Sequence, residues 1–192
     1  MLSVPNHWDR RPTLADLPAP RPGAGSAPDD VAARMKALLT PREPADILAF
    51  AQPLWDLFTN SYRADLWAAA FLINGGASDD GFDYFRAWLI AQGRTTYEQA
   101  LALPDSLADH PMVIQAATAG FDLWCESMIS VVWHVYETVN GEALPHDAYT
   151  GTYPTLDPDW DFDFNDDAEM RRRLPRLAAL YQNSHFYRYD GP

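Results

Sequence analysis

Five polar residues within one short segment could carry chemistry: Ser78, Asp79, Asp80, Asp83 and Arg86. At the helical spacing of 3.6 residues per turn, Asp79, Asp83 and Arg86 fall on one stripe, and aromatic or aliphatic residues fill most of the remaining surface. A helix of that composition is expected to be surrounded by protein, where an isolated charge costs several kcal/mol. Its polar residues are therefore expected to pair with one another or to line a cavity.

An acidic pocket at this position could work in two ways. A carboxylate whose pKa is raised by burial could act as a general acid or base, and the candidates for this catalytic role are Asp79, Asp80 and Glu126. Arg86 would then anchor an anionic group or stabilise developing negative charge. Without catalysis, the pocket would bind a small or peptide-like, cationic ligand. The ligand-binding candidates are Trp67, Ser78, Asp83, Arg86, Trp133 and His134.

A second hypothesis gives the same segment a structural role. The acids would cap helix ends, Gly75 and Gly76 would make a tight turn, and Arg86 would tie helices together through a carboxylate such as Glu126. The protein would then be a non-catalytic interaction adaptor. Its acidic, aromatic loop, residues 149–167, would recruit a basic partner protein. Both hypotheses remain open at this point, and the sequence identifies no reaction.

Two predicted helices must position these residues. The first begins after Ser78, a good N-cap residue, and Asp79 and Asp80 favour its positive end. The second is predicted as one helix over residues 121–139, with Trp124 on its core face. The opposite face carries Asp122, Glu126, Ser130, Trp133, His134 and Glu137. A tryptophan within this polar face indicates that part of the face is covered and completes the pocket.

The whole chain is predicted to be mainly α, as a compact single-domain helical bundle over residues 29–182. Residues 1–28 contain six prolines and are predicted to form an extended arm. Residues 145–165, rich in Pro, Asp and aromatic side chains, are predicted to wrap the body as an irregular acidic loop, and residues 183–192 to form a C-terminal tail. The candidate strands are short and lie at residues 148–153 and 160–164.

The charge of the chain limits its partners. The formal net charge is −13, and residues 95–170 contain 15 Asp and Glu but no Lys or Arg. Nucleic acids and anionic membranes are not expected as partners, because binding them requires basic side chains that neutralise phosphate. The expected partner is a small-molecule or peptide ligand, or a basic protein. A carboxylate removed from water in residues 95–170 would need an arginine from elsewhere, hydrogen bonds, protonation or a cation.

Neither a metal site nor an identifiable cofactor is predicted. His134 and Glu137 lie three positions apart, but no second such pair accompanies them. The alternate acids of residues 157–167 lack the glycine and glutamate of an EF-hand calcium loop. The first residues show no signal peptide, and the longest apolar run, residues 67–73, is too short to span a bilayer. These features favour a cytoplasmic location.

Residues 62–93 resemble the signature of a known family. The distinctive part of the pattern is Asn74-Gly75-Gly76-Ala77-Ser78-Asp79-Asp80-Gly81-Phe82, and the likeness continues through Pro104-Asp105 and, more loosely, to Gly141. The pattern is similar to the bacterial family catalogued as domain of unknown function 4240, over roughly residues 30–141. The cysteine usual in that family before Ser-Asp-Asp is Ala77 here, which excludes thiol chemistry at this position. The resemblance implies a shared site region but no known activity.

Overall fold

The computed structural model describes residues 28–181, which form helices and loops with no β-strand among them. The α-helices of this part of the chain are α1 (Pro28–Leu39), α2 (Pro44–Asn60), α3 (Ala64–Asn74), α4 (Asp79–Ala91), α5 (Arg94–Ala102), α6 (Pro111–Ala119), α7 (Glu126–Ile129), α8 (Val131–Asn140), α9 (Asp167–Arg173) and α10 (Pro175–Tyr181). The prediction of a mainly α fold is confirmed. The predicted arm, apart from Pro28, and the predicted tail lie outside the described residues.

The candidate strands are wrong, because the loop that contains them forms a short 3-10 helix and bonds to a side chain of α2. A 3-10 helix, Pro158–Trp160, follows Asp157, whose carboxylate accepts a hydrogen bond from the Asp159 N–H at 3.0 Å. Residues 148–153 lie against α2 without a strand partner. Around residues 160–164, turn-forming Asp and Pro residues outweigh the aromatic residues that favour a strand.

Helices α3 and α4 lie at the centre of the bundle. α3 is apolar on every side, and Leu66, Ala68, Ala69 and Ala70 have no exposed surface. α4 packs on α1, α2, α3, α5 and α7, and buries Phe82, Phe85, Trp88 and Leu89 completely. Complete burial of a large apolar side chain stabilises the fold by roughly 1.5–3 kcal/mol. The centre of α4 is thus fixed, while its first turn reaches the surface.

A tight turn between α3 and α4 sets the direction of that first turn. Gly75 ends α3 in the left-handed region, with φ 66°, where a side chain would be strained. The Trp67 indole N–H donates to the Ala77 carbonyl at 2.9 Å and holds the turn against α3. Ser78 then caps α4, because its Oγ accepts the Gly81 N–H at 3.2 Å. The predicted N-cap is therefore confirmed.

The prediction of one helix over residues 121–139 is wrong. Residues 121–125 are not helical, and Ser130 separates the short α7 from α8. The side-chain amide of Asn74 pairs with both backbone groups of Leu123, and the Cys125 N–H donates to the Tyr84 carbonyl at 3.1 Å. These tertiary hydrogen bonds replace helical ones. As a result Trp124, predicted in the core, is 54% exposed.

Pro175 divides the last helical segment into α9 and α10. The new helix start leaves backbone N–H groups without helical partners. The buried carboxylate of Asp105 accepts two of them, from Arg176 at 3.1 Å and from Leu177 at 2.9 Å. Asp105, part of the family-like pattern, therefore caps a helix about 70 residues further along the chain.

Candidate functional site

Arg86 lies inside the domain and is fully buried. Its guanidinium donates to the Phe58 carbonyl at the end of α2, to the Asp83 carboxylate one turn back, and to the Tyr153 hydroxyl at 3.4 Å. Four aromatic rings surround the guanidinium carbon at centroid distances of 5.0–5.6 Å, and they belong to Phe58, Tyr62, Phe82 and Tyr153. The predicted pairing with Asp83 is present, whereas the suggested tie to Glu126 is not. Arg86 therefore joins α4 to α2 and to the loop after α8.

The three polar residues at the start of α4 lie at the surface. Ser78, Asp79 and Asp80 are all exposed, and the Asp83 side chain remains 40% exposed beside Arg86. Within residues 28–181, no ion pair or side-chain hydrogen bond engages the carboxylates of Asp79 and Asp80. The first turn of α4 thus presents carboxylates to solvent at the positive end of the helix.

Glu126 joins this surface from α7. The pKa of the Tyr84 phenol is raised, first by the charge of Glu126, then by burial and by the charges of Asp80 and Asp83. Trp124 meets Tyr84 edge to face, with ring centroids 6.4 Å apart. We call this surface the acidic face, and it comprises Asp79, Asp80, Asp83, Glu126, Tyr84 and Trp124.

Asp79 acts on the neighbouring ring of Tyr62. Burial raises the pKa of Tyr62 most, the charge of Asp79 raises it further, and Arg86 opposes the rise. The carboxylates of the acidic face therefore extend from Tyr62 on one side of α4 to Tyr84 on the other. Helices α4 and α7 contribute them.

Trp67 packs against the turn and the start of α4, which carry part of the acidic face. Its ring stacks on Phe82 at a centroid distance of 4.7 Å, and its indole N–H is already bonded to Ala77. The side chain is half-buried. Its observed contacts position the turn before α4.

Trp133 and His134 lie on α8, which packs mainly on α1 and α2. Both side chains are exposed, Trp133 to 50%. In the described part of the chain, neither makes a side-chain hydrogen bond or ring contact with the acidic face. Trp133 is therefore not covered within residues 28–181, and the cover expected over this polar stripe is not found there.

The chemistry available to the acidic face follows from its exposure. Asp79, Asp80 and Glu126 lack the burial on which the proposed general acid or base depends, so their catalytic role stays a prediction that requires a bound substrate to exclude water. Within residues 28–181, no group of three or more His, Cys, Asp or Glu side chains is arranged to hold a metal ion. None of the helices there has the length and apolarity to cross a bilayer.

Aromatic side chains of the acidic loop after α8 pack against helices of the domain. The Arg173 guanidinium lies over Trp160 and Phe162, at 4.8 and 5.0 Å from their ring centroids. Phe164 packs edge-on against Phe71 of α3 at 5.7 Å. Hydrogen bonds from the backbone and side chain of Asn165 lower the pKa of Asp163. These residues are engaged within the domain.

Sequence reasoning missed several residues of the site. In the sequence, Tyr84 is one of the aromatic residues that fill the apolar surface of α4, and the helical periodicity predicts Trp124 in the core. Tyr62 and Tyr153 gave no signal, because their contact with Arg86 joins segments far apart in the chain. A helix that carried both a buried arginine and several aromatic residues was the available hint of an aromatic surround.

The fold and the site define an all-α domain with acidic side chains exposed at the start of a central helix. The family model described as "Protein of unknown function (DUF4240)" matches residues 17–138, more than half of the chain, so the protein belongs to this family. The family resemblance is thereby confirmed. A search of curated proteins and a search of solved structures each found no match.

Proposed function

We propose that the domain is a non-catalytic binding module whose acidic face receives a cationic group, such as a lysine or arginine side chain of a peptide or a small amine. The observation that carries this proposal is the exposure of the Asp79, Asp80 and Glu126 carboxylates on α4 and α7, and the raised pKa of the Tyr84 phenol is consistent with it. Among residues 28–181, the arginine that pairs with the face is Arg86, which is buried and binds Asp83. Negative charge is therefore available at the surface for an external cation.

The aromatic side chains beside the carboxylates suit a cationic ligand. An ammonium or guanidinium near the half-buried ring of Tyr84 and the exposed ring of Trp124 would gain about 0.5–1 kcal/mol from cation–π attraction. Charge-assisted hydrogen bonds to Asp80 or Glu126 would add to this and fix the position of the ligand. Because the carboxylates are exposed, the attraction is expected to weaken with salt, as the screening length falls from about 10 Å at 0.1 M to about 3 Å at 1 M.

The inward packing of the acidic loop favours the acidic face over that loop as the binding surface. Trp160, Phe162 and Phe164 are engaged by Arg173 and Phe71, so they offer little to a partner. The expected ligand is thus the cationic one of the pocket hypothesis, and the domain is non-catalytic as in the adaptor hypothesis. The contact surface lies on α4 and α7.

A titration with a tetra-arginine peptide tests the proposal, with a tetra-glutamate peptide as the negative control. Isothermal calorimetry of the wild type and of Glu126→Gln is expected to show about three- to tenfold weaker binding for the variant, equivalent to about 1 kcal/mol. Glu137→Gln on α8 is the matched control, since it removes the same charge from an exposed helical position. Equal losses in both variants would mean that the peptide responds only to net charge, and the proposed site would then be rejected.

A further inference from the structure

A short segment after α8 crosses α2 as an extended chain. We call residues 149–153 the strap. The side-chain amide of Gln52 on α2 holds it by both backbone groups of one residue: Oε1 accepts the Thr150 N–H at 2.8 Å, and Nε2 donates to the Thr150 carbonyl at 2.9 Å. Such a two-way contact recognises an extended backbone whatever side chain that residue carries.

On each side of the Gln52 hydrogen bonds, aromatic rings of the helical body contact the tyrosine side chains of the strap. Trp55 of α2 stacks on Tyr149 at 4.7 Å and contacts Tyr153 at 5.7 Å. Tyr153 also stacks on Tyr62 at 4.3 Å, and its hydroxyl accepts a hydrogen bond from Arg86. Two tyrosine rings four positions apart are therefore recognised by rings of the helical body.

The glycine between the two tyrosines is required by the space available. A Cβ atom added to Gly151 would lie 2.8 Å from Cδ1 of the Trp55 ring and closer still to its Nε1. That ring stacks on Tyr149 and contacts the tilted ring of Tyr153, so it has little freedom to move aside. The surface beneath the strap thus fits a segment with an aromatic residue, one residue, a glycine, one residue and a second aromatic residue. We call this surface the seat, formed by Gln52, Trp55, Thr59 and Tyr62.

The strap fits the seat incompletely. The Trp55 indole N–H and the Thr59 hydroxyl are buried without a hydrogen-bond partner in residues 28–181, and both lie next to Gly151. Opening the strap would let water hydrate these groups, which favours the open state. The residues from Thr150 to Tyr153 are exposed, and the Gln52 hydrogen bonds lie at the surface. We therefore expect that a competing segment can displace the strap from the helical body.

The seat and the strap also differ in their relation to the family. All four seat residues lie inside the matched residues 17–138, and the strap lies beyond them. The family domain thus supplies the recognition surface, and a following segment of the same chain occupies it.

We propose that the seat is a peptide-binding site that the strap occupies in cis, and that its external ligand is an extended partner segment with two aromatic residues flanking a glycine at the spacing of the strap. This inference stands on the seat alone and does not rest on cation binding at the acidic face. A covalently attached strap has a high effective concentration, of order mM for a short flexible connection, so an external segment binds strongly only where the strap is weakened.

A fluorescently labelled peptide with the sequence of residues 147–155 tests the proposal by anisotropy. Gly151→Ala in the full chain places a Cβ against Trp55 and is expected to lift the strap, so the peptide should bind this variant at least about tenfold more tightly than the wild type. The matched control is the peptide that itself carries Gly151→Ala, which should not bind. Gln52→Ala in the Gly151→Ala protein should remove most of the binding.

Further measurements keep the outcome decisive. Circular dichroism establishes that each variant is folded, and Tyr153→Ala weakens the strap by a second route in case Gly151→Ala does not fold. Folded strap variants that fail to bind the peptide would overturn the proposal, as would binding that is indifferent to Gln52→Ala. Dimers of Gly151→Ala in size-exclusion chromatography, without peptide binding, would assign the seat to a second copy of the chain and also overturn it. Tetra-arginine binding to the same variants separates this result from the fate of the acidic face.

Discussion

The acidic face and the start of α9 use the same residue types for different purposes. At the start of α4, the carboxylates of Asp79 and Asp80 are exposed and make no ion pair within residues 28–181. At α9, Asp166 accepts the N–H groups of Ala168 and Glu169 at 3.0 and 3.1 Å and caps the helix. The first set is available to a ligand, whereas the second stabilises the fold.

The supply of basic side chains near α7 and near α9 differs as well. Three consecutive arginines follow the acids of α9, and Glu169 pairs with Arg172 at 2.7 Å and with Arg173 at 3.0 Å. Residues 95–170 contain no such side chain, so Glu126 has no local basic partner. Acidic composition alone thus does not identify a binding surface, and the position of arginines in the sequence separates the two cases.

The strongest way to break the comparison is to remove Arg86, the arginine that pairs with Asp83 of the acidic face. Arg86→Ala leaves Asp83 and the Phe58 carbonyl without their donor and leaves a cavity among four rings, so we expect a loss of about 3–5 kcal/mol in the free energy of unfolding. Urea denaturation measures it. Arg94→Ala, which removes an exposed pair with Glu98, is the control and should cost about 0.5 kcal/mol or less. A loss below about 1 kcal/mol for Arg86→Ala would contradict a structural role.

Paired alanine substitutions at the two helix starts sharpen the comparison. Asp166→Ala removes the side-chain cap of α9 and is expected to cost about 1 kcal/mol of stability. Asp80→Ala removes only a favourable charge near the α4 terminus, because Ser78 supplies the cap, and should cost about 0.5 kcal/mol. Denaturant midpoints of both variants measure the difference. If Asp80→Ala cost more than Asp166→Ala, Asp80 would have a structural role that its exposure does not reveal.

The pH dependence of stability should distinguish the two regions as well. Hydrogen bonds from Arg172 and then Arg173 lower the pKa of Glu169 to about 2, from an ordinary value of 4.5. Because the folded pKa is the lower one, this residue stabilises the fold above about pH 4.5, and its contribution is lost as the pH falls towards 2. Glu169→Gln should therefore flatten the decline of Tm between about pH 5 and pH 2. Glu126→Gln should change that decline less, and the reverse order would refute the assignment.

The smallest expected effect is a change in the pKa of the Tyr84 phenol, which responds to carboxylates of the acidic face. Removing the negative charge of Glu126 makes ionisation of Tyr84 easier, so Glu126→Gln should lower the pKa of Tyr84 towards its ordinary value of 10.0. NMR titration of the tyrosine ring carbons follows this change, with Glu137→Gln as the control. An unchanged Tyr84 pKa would show that Glu126 does not act on this phenol and would argue against a shared face formed by α4 and α7.

Features that depend on neighbouring residues were predictable from the sequence. Ser78 as the cap of α4 follows from residue type and position, and the pairing of Asp83 with Arg86 follows from a spacing of three. The division at Pro175 follows from its missing N–H and its ring. The prediction that α4 is surrounded by protein also holds for its centre, where Arg86 is buried.

Features that depend on distant residues were not predictable in this way. The periodicity of residues 121–139 fits one helix, but Asn74 takes the backbone of Leu123 and prevents it. Residues 121–125 are therefore not helical, and Trp124 is exposed instead of buried. The surround of Arg86 needs Tyr153, which lies 67 residues further along the chain. No local pattern encodes which of many aromatic residues will meet an arginine.

The pair of hydrogen bonds between the Asn74 side chain and the Leu123 backbone affects the energetics of ligand binding. Together with the hydrogen bond from Cys125 to the Tyr84 carbonyl, it fixes the chain immediately before Glu126. The backbone on both sides of the acidic face is therefore ordered before any ligand arrives. A cation that binds there would lose its own freedom but impose little further ordering on the protein, which makes the surface preorganised.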